Sequence, residues 1–315
     1  MSDGTATVER AAPVVRPSRW KLLIDHPQWL GALLIAPAVA YIVLVVGVPF
    51  CLALFYSVSD ISMGSRSLDF VGLRNFAGVM ETTKFRTALA NTFVFAISSQ
   101  LAVIVLASVL ALALNRDFRG KWLVRLLILL PWVAPISLGT IGWLWILDST
   151  YSVVNWTLEA LGFVPEYGGF MWLGVPSLAM ASVVLVHVWR ILPLATVIIL
   201  AGLASIPPDL HDAAEVDGAG FWRHTVQITL PLIRPIMLVA GLFGLVFAFT
   251  DMIVIFVLTR GGPYDTTQVL ASLAFFTGIQ AGDLAEGAAI AVFLFPLLVA
   301  VAILFLRVAR RTEVV

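Results

Sequence analysis

Long apolar runs alternate with short polar segments along the whole chain. A helix needs about 20 apolar residues to cross a hydrocarbon core of roughly 30 Å, and six runs meet that length. They lie at approximately 29–57, 88–114, 122–147, 177–203, 235–259 and 285–307. Apolar residues are continuous within each run rather than alternating with polar ones, so the pattern predicts membrane helices and not a β-barrel.

Proline positions and composition refine this picture. Prolines recur inside the runs, which predicts kinked spans, since neighbouring helices in a bundle satisfy the carbonyl groups that a proline frees. They are Pro37, Pro49, Pro131, Pro135, Pro193 and Pro296. The chain is 60% hydrophobic and 12% charged, whereas soluble domains are about a quarter charged. We expect an all-α membrane protein with a transmembrane domain over residues 29–308.

The charged termini suggest how the chain is oriented. The first run is too long for a signal peptide and shows no small-residue cleavage site, so we interpret it as an anchor. With both termini in the cytoplasm, thirteen of the 19 Lys and Arg residues lie inside, as the positive-inside rule requires. One outer loop, 58–87, is basic, but the other, 148–176, has no Lys or Arg. Residues 1–28 and 309–315 are then cytoplasmic tails.

A polar segment of unusual length, residues 205–235, separates the fourth and fifth runs. Pro208 suits the first turn of a helix, Asp209 suits the positive end of its dipole, and Gly218 can end that helix in a left-handed conformation. A second, amphipathic helix is predicted at about 220–230. The pattern leaves two interpretations open: a knob that docks into a partner, or a hairpin that rests on lipid headgroups.

The same segment resembles the EAA loop of binding-protein-dependent ABC importers, whose pattern is Glu-Ala-Ala, Asp-Gly-Ala, Phe, Ile, Leu-Pro, Pro. The matching residues are Asp212, Ala213, Ala214, Asp217, Gly218, Ala219, Ile228, Leu230, Pro231 and Pro235. Asp212 replaces the glutamate and keeps its charge. Thr225 replaces the phenylalanine, so Phe221 or Trp222 is the candidate for the aromatic contact. The resemblance implies a coupling helix that docks in a cleft of a separate ATPase.

The resemblance to carbohydrate-type permeases extends over nearly the whole chain. The run from Thr259 to Pro263, with Gly261, Gly262 and Pro263, is most similar to the maltose F-type or glycerol-phosphate A-type subunit of a paired set. This implies the type I ABC importer permease fold with six spans, in a prokaryotic plasma (inner) membrane. It also implies a second homologous permease, an ATPase dimer that binds ATP and Mg²⁺, and an extracytoplasmic solute-binding protein. The expected cargo is a sugar, a polyol or a glycerol phosphate.

Several kinds of chemistry are missing from the sequence. The only Gly-Lys pair, Gly120-Lys121, has Asn115 where the first glycine of a phosphate-binding loop should stand. The four histidines (His26, His187, His211 and His224) lie in different segments without metal-ligand spacing. We therefore expect no catalytic site, metal or cofactor in this chain. A gradient-driven secondary transporter is the alternative, and it would need ionisable groups along its pathway.

Polar groups inside the spans are candidates for the cargo pathway, because charges are costly there. Asp251 lies within the fifth run, and Arg190 lies within the fourth, near His187. A pair in the bundle interior without a ligand explains these charges equally well. Trp143, Trp145 and Asn91 are further candidates, since indole faces stack on sugars and amides bind hydroxyls, although tryptophans also anchor helices at the membrane surface.

Overall fold

The computed structural model describes residues 27–65, 68–165 and 169–312. Most of the predicted N-terminal tail, Arg66 and the last three residues lie outside the described residues. Within the described part the chain is helical and contains no β-strand, only an isolated bridge between Ser59 and Phe70. The predicted all-α class is therefore confirmed. The chain divides into two compact units, residues 1–52 and 53–315.

The helices are numbered in chain order, and π-helical turns interrupt α1 at Val43–Gly47, α9 at His224–Thr229 and α12 at Phe276–Gln280. The helices are α1 (Pro27–Ile42, continued by Val43–Gly47 and Val48–Ser57), α2 (Arg74–Glu81), α3 (Thr83–Asn115), α4 (Lys121–Val133), α5 (Ile136–Ile146), α6 (Val153–Ala160), α7 (Pro176–Ala204), α8 (Pro208–Val216), α9 (Phe221–Leu232), α10 (Arg234–Thr250), α11 (Ile253–Leu258), α12 (Leu270–Gln280) and α13 (Leu284–Thr312).

Among the described residues, four helices are long and apolar enough to cross a membrane. The number of candidate spans is up to six if each of two bent pairs, α4 with α5 and α9 with α10, counts as one span. The four are Leu30–Ser57, Thr83–Asn115, Pro176–Ala204 and Leu284–Val308. The predicted run 122–147 is not one helix, because α4 and α5 meet at a 96° bend. Pro135 precedes α5 and has no amide hydrogen with which to continue α4. The run 235–259 is likewise broken, since α10 ends at Thr250 and α11 begins at Ile253.

Helices α3, α7 and α10 form the centre of the second unit. Phe95 of α3, Val186 of α7 and Phe249 of α10 belong to one buried apolar cluster. A second cluster continues it with Val103 of α3 and Ile191 of α7. Both clusters are aliphatic and aromatic, so close packing along α3 and α7 holds the bundle together.

Helix α13 approaches α12 through glycines. A Cβ atom added at Gly287 would overlap the backbone of Gly278 and lie 2.9 Å from the carbonyl oxygen of Ala274. Two backbones can approach this closely only where neither carries a side chain. The glycines therefore fix the position of α13 against the α12 π-turn.

We expect Gly287→Ala to lower the melting temperature of the detergent-purified protein. The methyl group meets backbone that cannot rotate away, and overpacking of this kind costs about 1–3 kcal/mol. Gly142→Ala on α5 is the matched control, because its Cβ meets no described atom within 4 Å. Equal melting temperatures for the two variants would contradict the close contact.

Candidate functional site

The polar segment between α7 and α10 folds into two helices, α8 and α9, as predicted. Pro208 occupies the first turn of α8, where its missing amide hydrogen leaves no intrahelical bond unmade. Asp209 lies in the same turn, near the positive end of the helix dipole. We call α8, the turn after it and α9 the hairpin.

The turn between α8 and α9 is a left-handed helix stop. Gly218 has a φ of +73°, which confirms the conformation predicted for it. The Gly218 amide donates to the Glu215 carbonyl and the Ala219 amide to the Ala214 carbonyl, each at 3.0 Å. This pair of bonds is the Schellman pattern, which satisfies carbonyls that the helix end would otherwise leave open. The Asp217-Gly218-Ala219 element therefore sets the geometry of the turn that ends α8.

The predicted coupling residues lie on both sides of the hairpin. Ala214 is buried, whereas the acidic edge of α8 faces outward. The exposed set is Asp212, Ala213, Asp217, Gly218 and Pro231, and the half-buried set is Ala219, Ile228 and Leu230. The outward face of α8 therefore offers small and acidic side chains.

The aromatic residues of the hairpin differ from those of the EAA loop pattern. Thr225 is buried, so the position that resembles the missing phenylalanine points inward. Trp222 is 76% exposed. Phe221 lies beneath the guanidinium of Arg116, with 5.2 Å from its central carbon to the ring centroid. The hairpin is therefore tied to the end of α3 by a cation–π contact.

Two histidines that appeared scattered in the sequence meet inside the hairpin. His211 Nδ1 of α8 lies 2.8 Å from His224 Nε2 of α9. Thirteen residues separate them, and only the reversal of the chain at Gly218 brings them together. The described residues contain no group of three or more His, Cys, Asp or Glu side chains that could hold a metal ion.

A second polar cluster lies at the break between α10 and α11. Asp251 Oδ2 accepts from His187 Nδ1 at 2.7 Å and from Arg190 Nη2 at 3.1 Å. Its other oxygen, Oδ1, accepts the Val254 amide at 3.1 Å and so caps α11. His187 and Arg190 are three residues apart on α7 and therefore share a helix face. We call these three side chains the Asp251 cluster.

Burial defines what the Asp251 cluster can reach. The side chains of His187 and Asp251 are each 1% exposed, whereas that of Arg190 is 17% exposed. Arg190 Nε has no hydrogen-bond partner in the described part of the chain. The Asp251 carboxylate and the Arg190 guanidinium form an ion pair. The accessible portion of this cluster is the arginine.

The other candidate pathway residues differ in their surroundings. Asn91 Nδ2 donates to the carbonyls of Thr266 and Gln268, at 2.8 and 3.1 Å. Trp143 packs edge to face on Trp189 with ring centroids 5.7 Å apart, and Trp145 is 65% exposed. Asn91 therefore secures a loop, and the two tryptophans differ in exposure.

The loop that Asn91 secures contains the Thr-x-Gly-Gly-Pro element. Gly261 has a φ of +86°, and a Cβ there would collide with the Gln268 side chain. Thr259 and Thr267 hydroxyls lie 2.7 Å apart, and Thr267 Oγ1 also donates to the Gly262 carbonyl at 2.7 Å. The motif residues therefore build a closed, internally bonded loop.

Residues 103–314 match the family model described as the binding-protein-dependent transport system inner membrane component. The chain is 32% identical over 299 residues to the sulfoquinovosyl glycerol transport system permease protein SmoG of Agrobacterium fabrum, covering 95% of each. It is 33% identical over 285 residues to the trehalose/maltose transport system permease protein MalF of Thermococcus litoralis, covering 89% of this chain and 94% of that one.

A solved structure shares the architecture. It is a chain of a bacterial alginate ABC transporter in complex with an alginate pentasaccharide-bound periplasmic protein, matched with a TM-score of 0.79 at 22% identity. The match covers 93% of this chain and 97% of the other. At this level of identity the likeness concerns the fold, and it confirms the fold predicted above.

We expect Asp251→Asn to destabilise the protein by leaving the Arg190 charge buried without a partner, which costs about 3–5 kcal/mol. Adding Arg190→Gln removes that charge and should recover part of the loss. Melting temperatures of the parent, both single variants and the double variant measure this coupling. Strictly additive effects would contradict an energetic link between the two side chains.

Proposed function

The chain belongs to the family of inner membrane components of binding-protein-dependent transport systems, and on this basis we propose that it forms, with a second and related permease, the pathway of an importer for sugars or related solutes. It is a multi-pass permease of an ABC importer. The proposal concerns its cargo, its partners and the parts played by its residues.

The proposed cargo is a sugar or a sugar derivative. Relatives that the chain matches over most of its length are named for trehalose/maltose and sulfoquinovosyl glycerol transport, and both names denote carbohydrate compounds. Polyols and glycerol phosphates remain within the proposed class. An external solute-binding protein would select the cargo, and the membrane pathway would then need only a few polar groups.

The structure of the hairpin is the main support for the proposal that a separate ATPase drives transport. It is polar, stands between α7 and α10, and exposes the acidic and small residues of α8. A short amphipathic helix seated in a groove is a common mode of protein recognition. We assign the groove to an ATPase partner that binds ATP and Mg²⁺, because the chain has no phosphate-binding loop.

Transport would follow from movement of the hairpin. When two ATPase subunits close around ATP, a knob docked on each of them is displaced, and the attached helices rock between inward-open and outward-open arrangements. The Schellman stop and the buried Ala214 make α8 part of a defined turn. A loose loop would absorb that displacement instead of transmitting it.

The Asp251 cluster is the proposed polar element of the pathway. Arg190 is partly exposed and donates to Asp251, which His187 contacts as well. A guanidinium offers several donors in a fixed plane, which suits hydroxyl groups. Trp143, in the apolar cluster that contains Phe249 and Val254, would add a stacking face.

Reconstitution tests the proposal as a whole. The complex purified through this chain should contain a nucleotide-binding subunit and a second permease, and its sugar uptake into liposomes should require ATP. Uptake by this chain alone, driven by an ion gradient, would instead support a secondary carrier and overturn the proposal.

We expect Gly218→Val to abolish most ATP-driven uptake while the chain still inserts and assembles. A β-branched residue is strained at a φ of +73°, so the turn that positions α8 must rearrange. Gly220→Val is the matched control two residues away, where φ is −64° and an added Cβ meets no described atom within 4 Å. The readout is uptake per ATP hydrolysed, and unchanged coupling in Gly218→Val would refute the role of the turn.

Asp251→Asn should lower the rate of uptake, after normalisation to the amount of assembled complex. The substitution weakens the hold on Arg190 and changes the charge of the pathway. Asp148→Asn provides a control carboxylate in the exposed segment that follows α5. If uptake by Asp251→Asn matches that of the parent, the cluster serves only the packing of the bundle.

A further inference from the structure

A direct contact between two imidazoles joins the two helices of the hairpin. His211 Nδ1 and His224 Nε2 are 2.8 Å apart, with ring centroids separated by 4.8 Å and ring planes inclined by 34°. On its other side His224 Nδ1 lies 3.3 Å from the hydroxyl of Thr229. Both histidines are half-buried. The contact therefore links α8 to α9 through three side chains.

The bond depends on how many protons the two rings share. One nitrogen must carry a hydrogen and the facing nitrogen must offer a lone pair. A neutral pair and a singly protonated pair both meet this condition. When both rings are protonated, every ring nitrogen is a donor, and two positive charges face each other at hydrogen-bond distance. The doubly protonated pair must separate.

The surroundings of the pair are polar and mixed in charge. A cavity of about 440 Å³ borders both histidines. From α8 it is lined by Glu215, from the segment after α3 by Arg116, and from α7 by the apolar Leu203. The Arg116 guanidinium rests on the Phe221 ring. Solvent-sized space beside the rings gives protons a route to them.

The imidazole contact lies where it can determine the orientation of α8. This helix has nine residues, and isolated helices of that length are marginal in water. His211 immediately precedes Asp212 and Ala213, two exposed residues of the proposed docking face. The imidazole contact and the buried Ala214 both attach α8 to the rest of the protein beside this face.

We propose that His211 and His224 are positioning residues whose shared hydrogen bond holds α8 in its docking orientation, and that protonation of both rings releases α8 and uncouples ATP hydrolysis from transport. The inference rests on the coupling role proposed for α8. Histidine changes its charge between pH about 5 and about 8. Coupling is therefore complete while the two rings share at most one proton, and it is lost once the cytoplasmic pH is low enough to protonate both.

The test replaces the two rings with groups that keep the bond but do not titrate. An asparagine amide can stand in for Nδ1 of His211 and a glutamine amide for Nε2 of His224, so the double variant H211N/H224Q retains a donor facing an acceptor. The intact complex is reconstituted, and the ratio of sugar transported to ATP hydrolysed is measured across this pH range. In the parent we expect the ratio to fall by about fivefold or more, the shift that loss of one hydrogen bond produces.

In the amide variant the ratio should stay constant across the same range. H211L/H224L, which can form no such bond, should show a low ratio at every pH. A parent and an amide variant with the same pH profile would overturn the inference. Loss of ATP-driven transport by the parent at neutral pH would instead overturn the proposed function, so the two failures are distinguishable.

A second readout needs neither ATPase nor cargo. Histidine nitrogens in the ¹⁵N-labelled chain report the protonation of each ring, and the H211N and H224Q single variants assign the signals. While the bond is present, one of the two facing nitrogens should carry a hydrogen and the other should not, and both should carry one when the contact has opened. Facing nitrogens that are in the same state at neutral pH would contradict the shared bond.

Discussion

A hydrocarbon interior offers no hydrogen-bond partner to a broken helix, so every interruption of a membrane helix must be satisfied by the protein itself. This constraint explains the polar groups at the interruptions of this bundle. Asp251 accepts the amide of Val254, in the first turn of α11. Asn91 covers two carbonyls of the loop that follows, those of Thr266 and Gln268. The break at Asp251 and the loop after α11 thus carry their own hydrogen-bond partners.

The hairpin faces the opposite problem, because water competes for its hydrogen bonds and burial contributes little. Its definition comes from local geometry: a proline at the start of α8, a left-handed glycine at its end, and one buried alanine. Such features depend on near neighbours in sequence, which explains why the family pattern is short and dense here. The proposed docking of α8 in an ATPase groove would depend on this turn, because the turn orients the exposed face of α8.

The same distinction decides what could be predicted from the sequence. The apolar runs predicted α3 and α7 to within five residues of their ends. The glycine at position 218 predicted a left-handed turn there. Both signals depend only on neighbouring residues in the sequence. The 96° bend between α4 and α5 was not predicted beyond a kink at the prolines, because the angle depends on packing with other helices. The contact between His211 and His224 could not be predicted, because it depends on the path of the chain through the turn between them. Asn91 stays a candidate for the cargo pathway, and the sequence could not show that its amide donates to the carbonyl of Thr266, 175 residues away.

The hairpin and the Asp251 cluster are connected through the two helices that flank the hairpin. Helix α7 carries His187 and Arg190 and leads into the hairpin, and α10 leaves the hairpin and ends at Asp251. Arg190 stands 14 residues before the end of α7, and α10 has 17 residues, so the ion pair joins the two helices roughly 20–25 Å from the hairpin. Buried charges of this kind seldom add stability over an apolar pair, but they penalise any shift that separates them. Sliding α7 past α10 would separate Asp251 from Arg190, so this ion pair opposes such a movement.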